Sequence, residues 1–582
     1  MTHTDADLDP RTPVLVGGGQ SADRLDAPDY RALSPVGLAA EAAHHALADT
    51  GADPATVAVA VDTVAGVRQF ETSTPQAVAP LGRADNYPRA VAARVGANPD
   101  RAILEVSGGQ APQHLITELA GSIAAGETEV ALVFGSEAIS TVRHFAKAAD
   151  KPDFTETVGG SLDDRGYGLE GVASPHLGAH GLAGGPSQYA VLENARRARL
   201  KQTREEYAAQ MGALFEPFTR VAATNPYAAA PVERTAAELV TVSQANRMIC
   251  DPYTRYIVAR DQVNQAAAVV LMSVAAAQRL GVPQERWVFL HGHADLREPP
   301  ILRRPDLSRS PAAVRASEAA LEMAGVSMSD VATIDLYSCF PIPVFNIADA
   351  FDLAPDDPRG LTLSGGLPFF GGAGNNYSMH AVVETMDRAR QNPGSHGFVG
   401  ANGGVLSKYS VGVYSTTPAP WRTDRSHDLQ AELDAQPVVE VARHPGGSAT
   451  IETYTVTHGR DGKRTGIVIG RLDADGRRFV ANVTRGADDL LDLLSFGDPF
   501  NAPIHVRALP EGNRIASSKA QLDQLLPARR PGFRDGYEHV LVRRDGHLLE
   551  VTINRPDALN ALHPPANAEL DEVFDAYFAD PE

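Results

Sequence analysis

Cysteine, tryptophan and net positive charge are all scarce in this chain of 582 residues. With only two cysteines, Cys250 and Cys339, the chain has neither a disulfide framework nor a zinc site with several cysteine ligands. The formal net charge of −20 argues against nucleic-acid binding, because that affinity depends mainly on basic contacts to phosphates. An anionic ligand would therefore need a local pocket of arginine, lysine or backbone N–H groups.

Long apolar runs are also absent. The longest, residues 265–278, is too short and too interrupted to span a membrane. The N-terminal segment MTHTDADLDP is polar and acidic and lacks the apolar core of a signal peptide. We therefore expect a cytoplasmic protein with no membrane span. Its 43% hydrophobic composition is typical of globular proteins, and its length predicts roughly three or four domains.

Short apolar strands alternate with helical segments over residues 12–145. Ser34 is placed to cap a helix whose first residue is Pro35 and which ends at Gly51. This alternation predicts a mostly parallel sheet covered on both faces. The predicted strands are 12–18, 55–66, 101–106 and 129–135, and the predicted helices are 34–51 and 113–126.

A different composition follows over residues 140–260. This region is rich in Gly, His and Tyr and contains a charged helical segment at 192–214, so it reads as an insertion over a rigid core. The strand and helix alternation returns at 266–273 and 287–294.

Three landmarks then repeat in the same order. Residues 310–338 resemble residues 34–62, beginning with the same Ser-Pro pair and ending in a strand. LTLSGG, which ends at Gly366, resembles LEVSGG, which ends at Gly109, and each Ser-Gly-Gly is predicted to close a strand before a helix. Residues 397–404 correspond to 129–138. The repetition predicts a duplicated α/β fold.

The C-terminal third has a different character. A Pro-rich break at 416–421 precedes residues 437–508, whose hairpin patterns predict a barrel of about five strands. A basic linker at 525–536 follows. Residues 537–562 then read as a hairpin around Asp545-Gly546 and the start of a helix.

The first 415 residues resemble the thiolase superfamily. The resemblance rests on SIAAGETEVALVFGSEAIS (122–140), IDLYSCFPIPV (334–344), SGGLPFFGGAGN (364–375) and GANGGVLSKYSVG (400–412). It implies an α/β fold class: a duplicated thiolase fold of two mixed sheets in α/β/α/β/α layers, with an inserted loop domain.

The barrel region resembles the additional C-terminal domain of thiolase-like proteins of type 1, which have a sterol-carrier-type thiolase core and an OB-like barrel. INRPDALNAL (553–562) resembles the opening of a crotonase-like domain, which implies a hydratase domain or partner beyond Glu582. The predicted units are 10–285 (thiolase-like N-terminal half, with the insertion at 140–260), 286–417 (C-terminal half), 432–512 (barrel), 513–536 (linker) and 537–582 (crotonase-like start).

Thiolase chemistry uses a nucleophilic cysteine, a histidine and a second cysteine. By alignment of the motifs with the family pattern, these positions fall on Gly109, Gly372 and Ala401, so the usual catalytic set is missing. The resemblance implies coenzyme A or acyl-CoA as a substrate, with no permanently bound cofactor and no metal.

Three residues remain as catalytic candidates. Cys339 offers a thiol, although a buried core cysteine is the simpler interpretation. Tyr337 could donate a hydrogen bond to an oxyanion or could simply cap a strand. His380 follows the Gly-rich loop of the second half, where a packed histidine is the alternative.

The binding candidates surround those motifs. Pocket residues for an oxyanion or substrate are expected at Gly109, Gln110, Gly372, Asn375, Asn402 and Gly403. Arg196 and Arg199, in the insertion, are candidates for binding the phosphates of coenzyme A, although a solvated helix face explains them equally well.

The resemblance implies an acyltransferase of the acetyl-CoA acetyltransferase type, in lipid metabolism. One alternative is a retro-aldol lyase that uses Tyr337 on a hydroxyacyl-CoA. Another is a non-catalytic acyl-CoA binder or scaffold. The oligomeric state, monomer or homodimer, stays open.

Overall fold

The computed structural model describes residues 8–170, 173–527 and 532–580. The strands are β1 (Pro13–Ala22), β2 (Thr63–Gly66), β3 (Arg101–Leu104), β4 (Val130–Ala138), β5 (Asp163–Asp164), β6 (Met248–Cys250), β7 (Tyr253–Thr254), β8 (Asn264–Ser273), β9 (Phe289–Arg297), β10 (Val331–Leu336), β11 (His396–Gly403), β12 (Lys408–Ser415), β13 (Gly446–His458), β14 (Arg464–Leu472), β15 (Arg478–Val483), β16 (Pro503–Arg507), β17 (Arg514–Ala516), β18 (Val540–Asp545) and β19 (Leu548–Ile553).

The α-helices are α1 (Pro35–Asp49), α2 (Pro54–Ala60), α3 (Tyr87–Arg94), α4 (Ala111–Ala125), α5 (Ile139–Phe145), α6 (Pro175–Ala179), α7 (Gly185–Leu200), α8 (Arg204–Thr224), α9 (Ala236–Val240), α10 (Val274–Arg279), α11 (Pro311–Ala324), α12 (Pro341–Phe351), α13 (Tyr377–Gln391), α14 (Ser426–Asp434), α15 (Asp488–Phe496), α16 (Lys519–Leu525) and α17 (Pro564–Ala579).

The two halves of the core share the order and relative directions of four strands. The first sheet has the order β1-β8-β4-β2-β3-β5, and the second has the order β9-β12-β11-β10. In each sheet the first two pairings are antiparallel and the third is parallel. The predicted duplication and the mixed character of both sheets are thus confirmed.

Helices form three layers around these sheets. Helices α4 and α13 lie between the two sheets and contact strands of both. Helix α1 covers the outer face of the first sheet, and α11 covers the outer face of the second. Apolar side chains of the central helices, such as Leu115 and Met379, share one buried cluster with Val133 and Val399 of the two sheets. The order is therefore α/β/α/β/α.

Two strand predictions are wrong. Residues 55–66 form α2 and then β2, because the Asp53 carboxylate accepts the Thr56 N–H at 2.9 Å and caps a helix that begins at Pro54. Residues 361–366 form no strand, because the buried Asp335 carboxylate accepts hydrogen bonds from the backbone N–H groups of Leu363 and Ser364. The second sheet consequently has no counterpart of β3.

The charged segment 192–214 is two helices rather than one. Helix α7 ends at Leu200, because the next residue, Lys201, has a left-handed φ of 55°. Thr203 and Glu206 then form a capping box that starts α8. The insertion thereby gains a bend, which places α7 against β13 of the barrel.

The C-terminal region contains a closed barrel of five strands. Its strands pair in the order β14-β15-β17-β16-β13, and β13 pairs with β14 to complete the ring. Arg478, fully buried, joins the barrel to the core: it binds the Glu452 carboxylate and donates to the carbonyl of Leu302 at 3.0 Å. The barrel is therefore tied to the core by charge-assisted hydrogen bonds.

The last described segment pairs β18 with β19 and adds α17. Among the described residues, no helix combines the length and apolar character needed to cross a membrane.

Candidate functional site

A cavity of about 570 Å³ lies where the motifs of both halves meet the insertion. Its walls are largely apolar and aromatic, with contributions from Phe70, Leu169, Tyr189 and Phe340. The sequence-predicted residues that line it are Gly109, Tyr337, Cys339, Gly372, Asn375 and Asn402.

Tyr337 occupies the space that a nucleophile would need at Gly109. A Cβ atom built on Gly109 would lie 2.2 Å from the Tyr337 hydroxyl oxygen and 2.4 Å from its ring. No side chain fits at Gly109 while Tyr337 keeps this position. The bend between β3 and α4 therefore presents backbone rather than a reactive side chain to the cavity.

Two hydrogen-bond donors are free at this bend. Within the part of the chain that the structure describes, neither the Tyr337 hydroxyl nor the Gly109 N–H has a hydrogen-bond partner. Burial, with Cys339 and Tyr377 nearby, raises the pKa of Tyr337 well above its usual value, so the phenol stays protonated. A ligand oxygen bound here would meet two donors beside the N-terminus of α4.

Cys339 lies in the cavity wall as a protonated thiol. Burial raises its pKa to about 12, although the neighbouring polar groups of Tyr189 and Asn402 partly oppose that rise. The thiolate is the nucleophilic form of cysteine, and it is scarce at neutral pH for such a group. Cys250 is also buried, away from the cavity lining.

Asn402 is held by Tyr189 of the insertion. Its Nδ2 donates to the Tyr189 hydroxyl at 2.8 Å and faces the Cys339 sulfur at 3.8 Å. The Tyr189 hydroxyl in turn donates to the Gly404 carbonyl at 2.7 Å. The donor end of this amide is therefore already engaged.

Both polar atoms of the Asn375 side chain form hydrogen bonds within the protein and hold the bend in place. Its Oδ1 accepts the Gly108 N–H at 2.9 Å, and its Nδ2 donates to the carbonyl of Arg68 at 2.6 Å and to Ser73. Ser378 donates to the Gly109 carbonyl at 2.5 Å. The second half of the core thus fixes the backbone of the first.

Glycines also shape the opposite wall. Gly372 lines the cavity, and a Cβ atom there would meet the Arg260 carbonyl and Leu367 at 3.3 Å. Gly374, with φ of 54°, lies against Glu137, whose pKa burial raises well above its usual value. These contacts leave little room for a side chain at either glycine.

Three of the predicted catalytic and pocket residues lie outside the cavity lining: His380, Gln110 and Gly403. His380 is fully buried, with Nδ1 2.7 Å from the Gln20 amide oxygen, and burial lowers its pKa to about 3. The Gln110 side chain packs beneath Gly403, where a Cβ atom would lie 1.7 Å from Gln110 Oε1.

The two predicted phosphate-binding arginines lie elsewhere. Arg196 and Arg199 both pair with Asp349, at 2.6 Å and 2.8 Å. Arg196 is buried and its guanidinium stacks on Phe345 at 3.9 Å. Neither arginine lines the cavity.

A groove with four other arginines adjoins the cavity. The groove, of about 300 Å³, shares Val258, Ala259 and Asp261 with the cavity walls. We call it the arginine groove, after its four arginines: Arg234, Arg247, Arg255 and Arg260. Among the described residues, none of the four forms a salt bridge, although the Asp261 carboxylate lines the same groove.

Glu105, His114 and Glu118 lie within 4.8 Å of one another and could hold a metal ion. Arg165 already binds both carboxylates, at 2.6 Å and 2.5 Å. Its guanidinium supplies the positive charge that a metal would bring, so these residues fit an ion-pair cluster better than a metal centre.

Known proteins share this architecture. A monomeric SCP2-thiolase-like protein type 1 from Mycobacterium smegmatis is 52% identical, with a TM-score of 0.76, over 88% of this chain and 99% of that one. The Ltp2-ChsH2(DUF35) aldolase shares the fold at 18% identity, with a TM-score of 0.51, over 70% of this chain and 98% of that one.

Residues 428–514 match the additional C-terminal domain of thiolase-like protein type 1. No curated protein matches the chain significantly. The identity with the mycobacterial protein across almost its whole length establishes that this chain belongs to the SCP2-thiolase-like proteins of type 1.

Proposed function

We propose that this protein binds acyl-CoA thioesters, with the acyl end in the cavity and the phosphates in the arginine groove. The observation that carries the proposal is the position of the groove: it holds guanidiniums without carboxylate partners and shares a wall with an apolar cavity. A ligand with an apolar end and a polyanionic end fits that pair of surfaces.

The groove is chemically suited to phosphate. Burial and the neighbouring Arg255 and Arg234 lower the pKa of Arg260, because like charges crowd one another there. An anionic ligand would relieve this repulsion, and arginine binds phosphate oxygens through paired N–H groups. In a chain with a net charge of −20, such a concentration of unpaired positive charge is distinctive.

The cavity supports polar rather than covalent catalysis. Acyl transfer of the acetyltransferase type would require Cys339 as a thiolate, which its raised pKa disfavours. The free Tyr337 hydroxyl and Gly109 N–H can instead hold the thioester oxygen.

That pair of donors favours retro-aldol cleavage as the second candidate function. Transfer of the β-hydroxyl proton to a base, for which the cavity lining offers the carboxylate of Asp261, would break the Cα–Cβ bond, release a carbonyl compound and leave an enolate thioester. Tyr337 would stabilise the enolate oxygen before the α-carbon takes up a proton.

The binding proposal is tested by calorimetry with two ligands that share the same acyl thioester, butyryl-CoA and butyryl-pantetheine. We expect Arg234→Ala and Arg255→Ala to weaken butyryl-CoA binding by about tenfold each, with no change for butyryl-pantetheine, which lacks phosphates. Arg199→Ala serves as the comparison, because Arg199 lies outside both the groove and the cavity. An effect of Arg199→Ala alone would move the phosphates to the originally predicted arginines, and no thioester binding would refute the proposal.

The two reactions are separated by product analysis. The protein is incubated with a 3-hydroxyacyl-CoA, and separately with a 3-oxoacyl-CoA and coenzyme A. Cleavage of the hydroxy substrate that is lost in Tyr337→Phe but kept in Cys339→Ala supports the lyase. Thiolysis that is lost in Cys339→Ala supports acyl transfer, whereas binding without turnover leaves a non-catalytic acyl-CoA binder.

A further inference from the structure

Strand β13 of the barrel contacts both parts of the proposed binding surface. Besides its barrel neighbours, β13 pairs with β6 of the insertion, and β6 pairs in turn with β7, so the insertion adds two strands to the barrel's sheet. Tyr454 and Val456 of β13 belong to the apolar core of the barrel. Thr453 and Thr455 alternate with them and therefore face outward, towards the insertion.

Thr453 holds the helix that forms one wall of the cavity. Its hydroxyl donates to the Val191 carbonyl of α7 at 2.6 Å, and both residues are fully buried. One turn further along α7, the Asn194 amide donates to the Tyr454 carbonyl of β13 at 3.0 Å. Tyr189, which lines the cavity, precedes Val191 by two residues. Since successive helical residues are turned by about 100°, Tyr189 and Val191 lie on nearly opposite faces, and α7 separates the cavity from the barrel.

Thr455 holds the hairpin that carries half of the arginine groove. Its hydroxyl donates at 2.8 Å to the carbonyl of Asp251, which lies between β6 and β7. Of the groove arginines, Arg247 immediately precedes this hairpin and Arg255 immediately follows it. Arg247 also donates to the carbonyl of His458, the last residue of β13, at 3.3 Å. The position of these two guanidiniums therefore depends on how the hairpin is attached to β13.

We propose that the barrel sets the affinity of the protein for its ligand, because β13 positions the cavity wall through Thr453 and the arginine groove through Thr455. This inference rests on the proposed binding of acyl-CoA. Neither threonine lines the cavity or the groove, so both act as positioning residues. Since coupling between two sites is reciprocal, a bound ligand also holds α7 and the β6–β7 hairpin more firmly against β13.

The test removes one hydroxyl at a time at nearly constant side-chain volume. Calorimetry measures the affinity of each variant for butyryl-CoA and for butyryl-pantetheine. We expect Thr453→Val to weaken the binding of both ligands by about three- to tenfold, because the cavity wall contacts the acyl end that they share. We expect Thr455→Val to weaken only butyryl-CoA binding by a similar factor, because the groove meets the phosphates that butyryl-pantetheine lacks.

Thr484→Val is the matched control. The Thr484 hydroxyl is also buried and donates to the Ile515 carbonyl at 2.8 Å, but both residues lie within the barrel, so neither affinity should change. Thr453→Ser and Thr455→Ser keep the hydroxyl donor and should retain affinities close to those of the wild type. Unchanged affinities in both valine variants at β13, or an equal loss in all three valine variants, would overturn the inference and leave the proposed binding intact.

A second measurement on the wild-type protein decides the inference even if a variant folds poorly. Backbone hydrogen exchange is followed with and without saturating butyryl-CoA. We expect slower exchange in β13, which lines neither the cavity nor the groove, and unchanged exchange in α16, which packs on β16 and β17 within the barrel. Unchanged exchange in β13 at saturation would overturn the coupling. Failure of butyryl-CoA to bind in calorimetry would overturn both this inference and the proposed function.

Discussion

The Tyr337 hydroxyl oxygen lies 2.2 Å from the point that a Cβ atom on Gly109 would occupy. The two positions are therefore mutually exclusive: a side chain at residue 109 and a tyrosine in this rotamer at residue 337 cannot coexist. The absence of a side chain at residue 109 and the position of the Tyr337 phenol are therefore linked across the two halves of the core.

Substitution of Gly109 should expose this coupling. We expect Gly109→Ala to destabilise the protein by about 1–3 kcal/mol, because the added methyl group overlaps the Tyr337 ring. In a Tyr337→Ala background the same substitution should leave the free energy of unfolding almost unchanged. Urea unfolding of the single and double variants measures the coupling.

Gly121→Ala, in helix α4, is the control, since a Cβ atom there meets only Trp421 at an ordinary 3.6 Å. It should stabilise the protein by about 0.5–1 kcal/mol. Additive effects of Gly109→Ala and Tyr337→Ala would show that the overlap is relieved elsewhere.

Cys339 should react slowly with thiol reagents in the folded protein. Its pKa of about 12 leaves almost no thiolate at pH 8, and the side chain is buried. In a Cys250→Ala background, we expect no rapid reaction with a chromogenic disulfide until denaturant is added. A stoichiometric burst at pH 8 from the native variant would instead identify Cys339 as an accessible nucleophile.

His380 should make the protein less stable in acid. Burial lowers its pKa to about 3, whereas an unfolded histidine titrates near pH 6.5. Below pH 6.5 the unfolded chain therefore binds a proton that the folded chain does not, and this favours unfolding. The free energy of unfolding should fall by up to about 1.4 kcal/mol per pH unit from this group as the pH drops towards 3.

His380→Gln removes this contribution. Chemical unfolding of both proteins from pH 7 to pH 4 should show the variant gaining stability relative to the wild type as the pH falls. A constant difference across that range would mean that His380 is readily protonated in the native state, and would revive its candidacy as an acid or base.

Arg478 should be critical for attachment of the barrel. Arg478→Met leaves the Glu452 carboxylate without one partner and deprives the Leu302 carbonyl of its donor. We therefore expect the free energy of unfolding to fall by about 3–5 kcal/mol, which calorimetric unfolding measures. Arg477→Met, in an exposed pair with Asp475, should change stability by less than about 0.5 kcal/mol. Similar effects of the two substitutions would argue against the barrel anchor.

Local signals predicted most of the fold. Ser34 with Pro35 and Ser310 with Pro311 mark helix starts that the structure places at those residues. Prediction failed where a second interaction competed with the pattern. The Val-Ala alternation after Pro54 suggested a strand, but capping by Asp53 starts a helix there.

The candidate site was predictable only in part. Tyr337 and Cys339 follow the end of β10, and Asn402 lies near the end of β11, so their motifs located the cavity. Tyr189 could not be predicted, because its role depends on how the insertion folds over the core. The orientation of the Asn402 amide depends in turn on Tyr189, and no sequence pattern records it.

The two-residue strand β5 has a consequence for the first sheet. It pairs with Ile103 and Leu104 of β3, and so covers the N–H and C=O groups that β3 would otherwise present at the sheet margin. Exposed margins of this kind invite pairing with another chain. A second copy that approached along β3 would first have to displace β5. The insertion therefore protects this edge of the sheet against pairing with another chain.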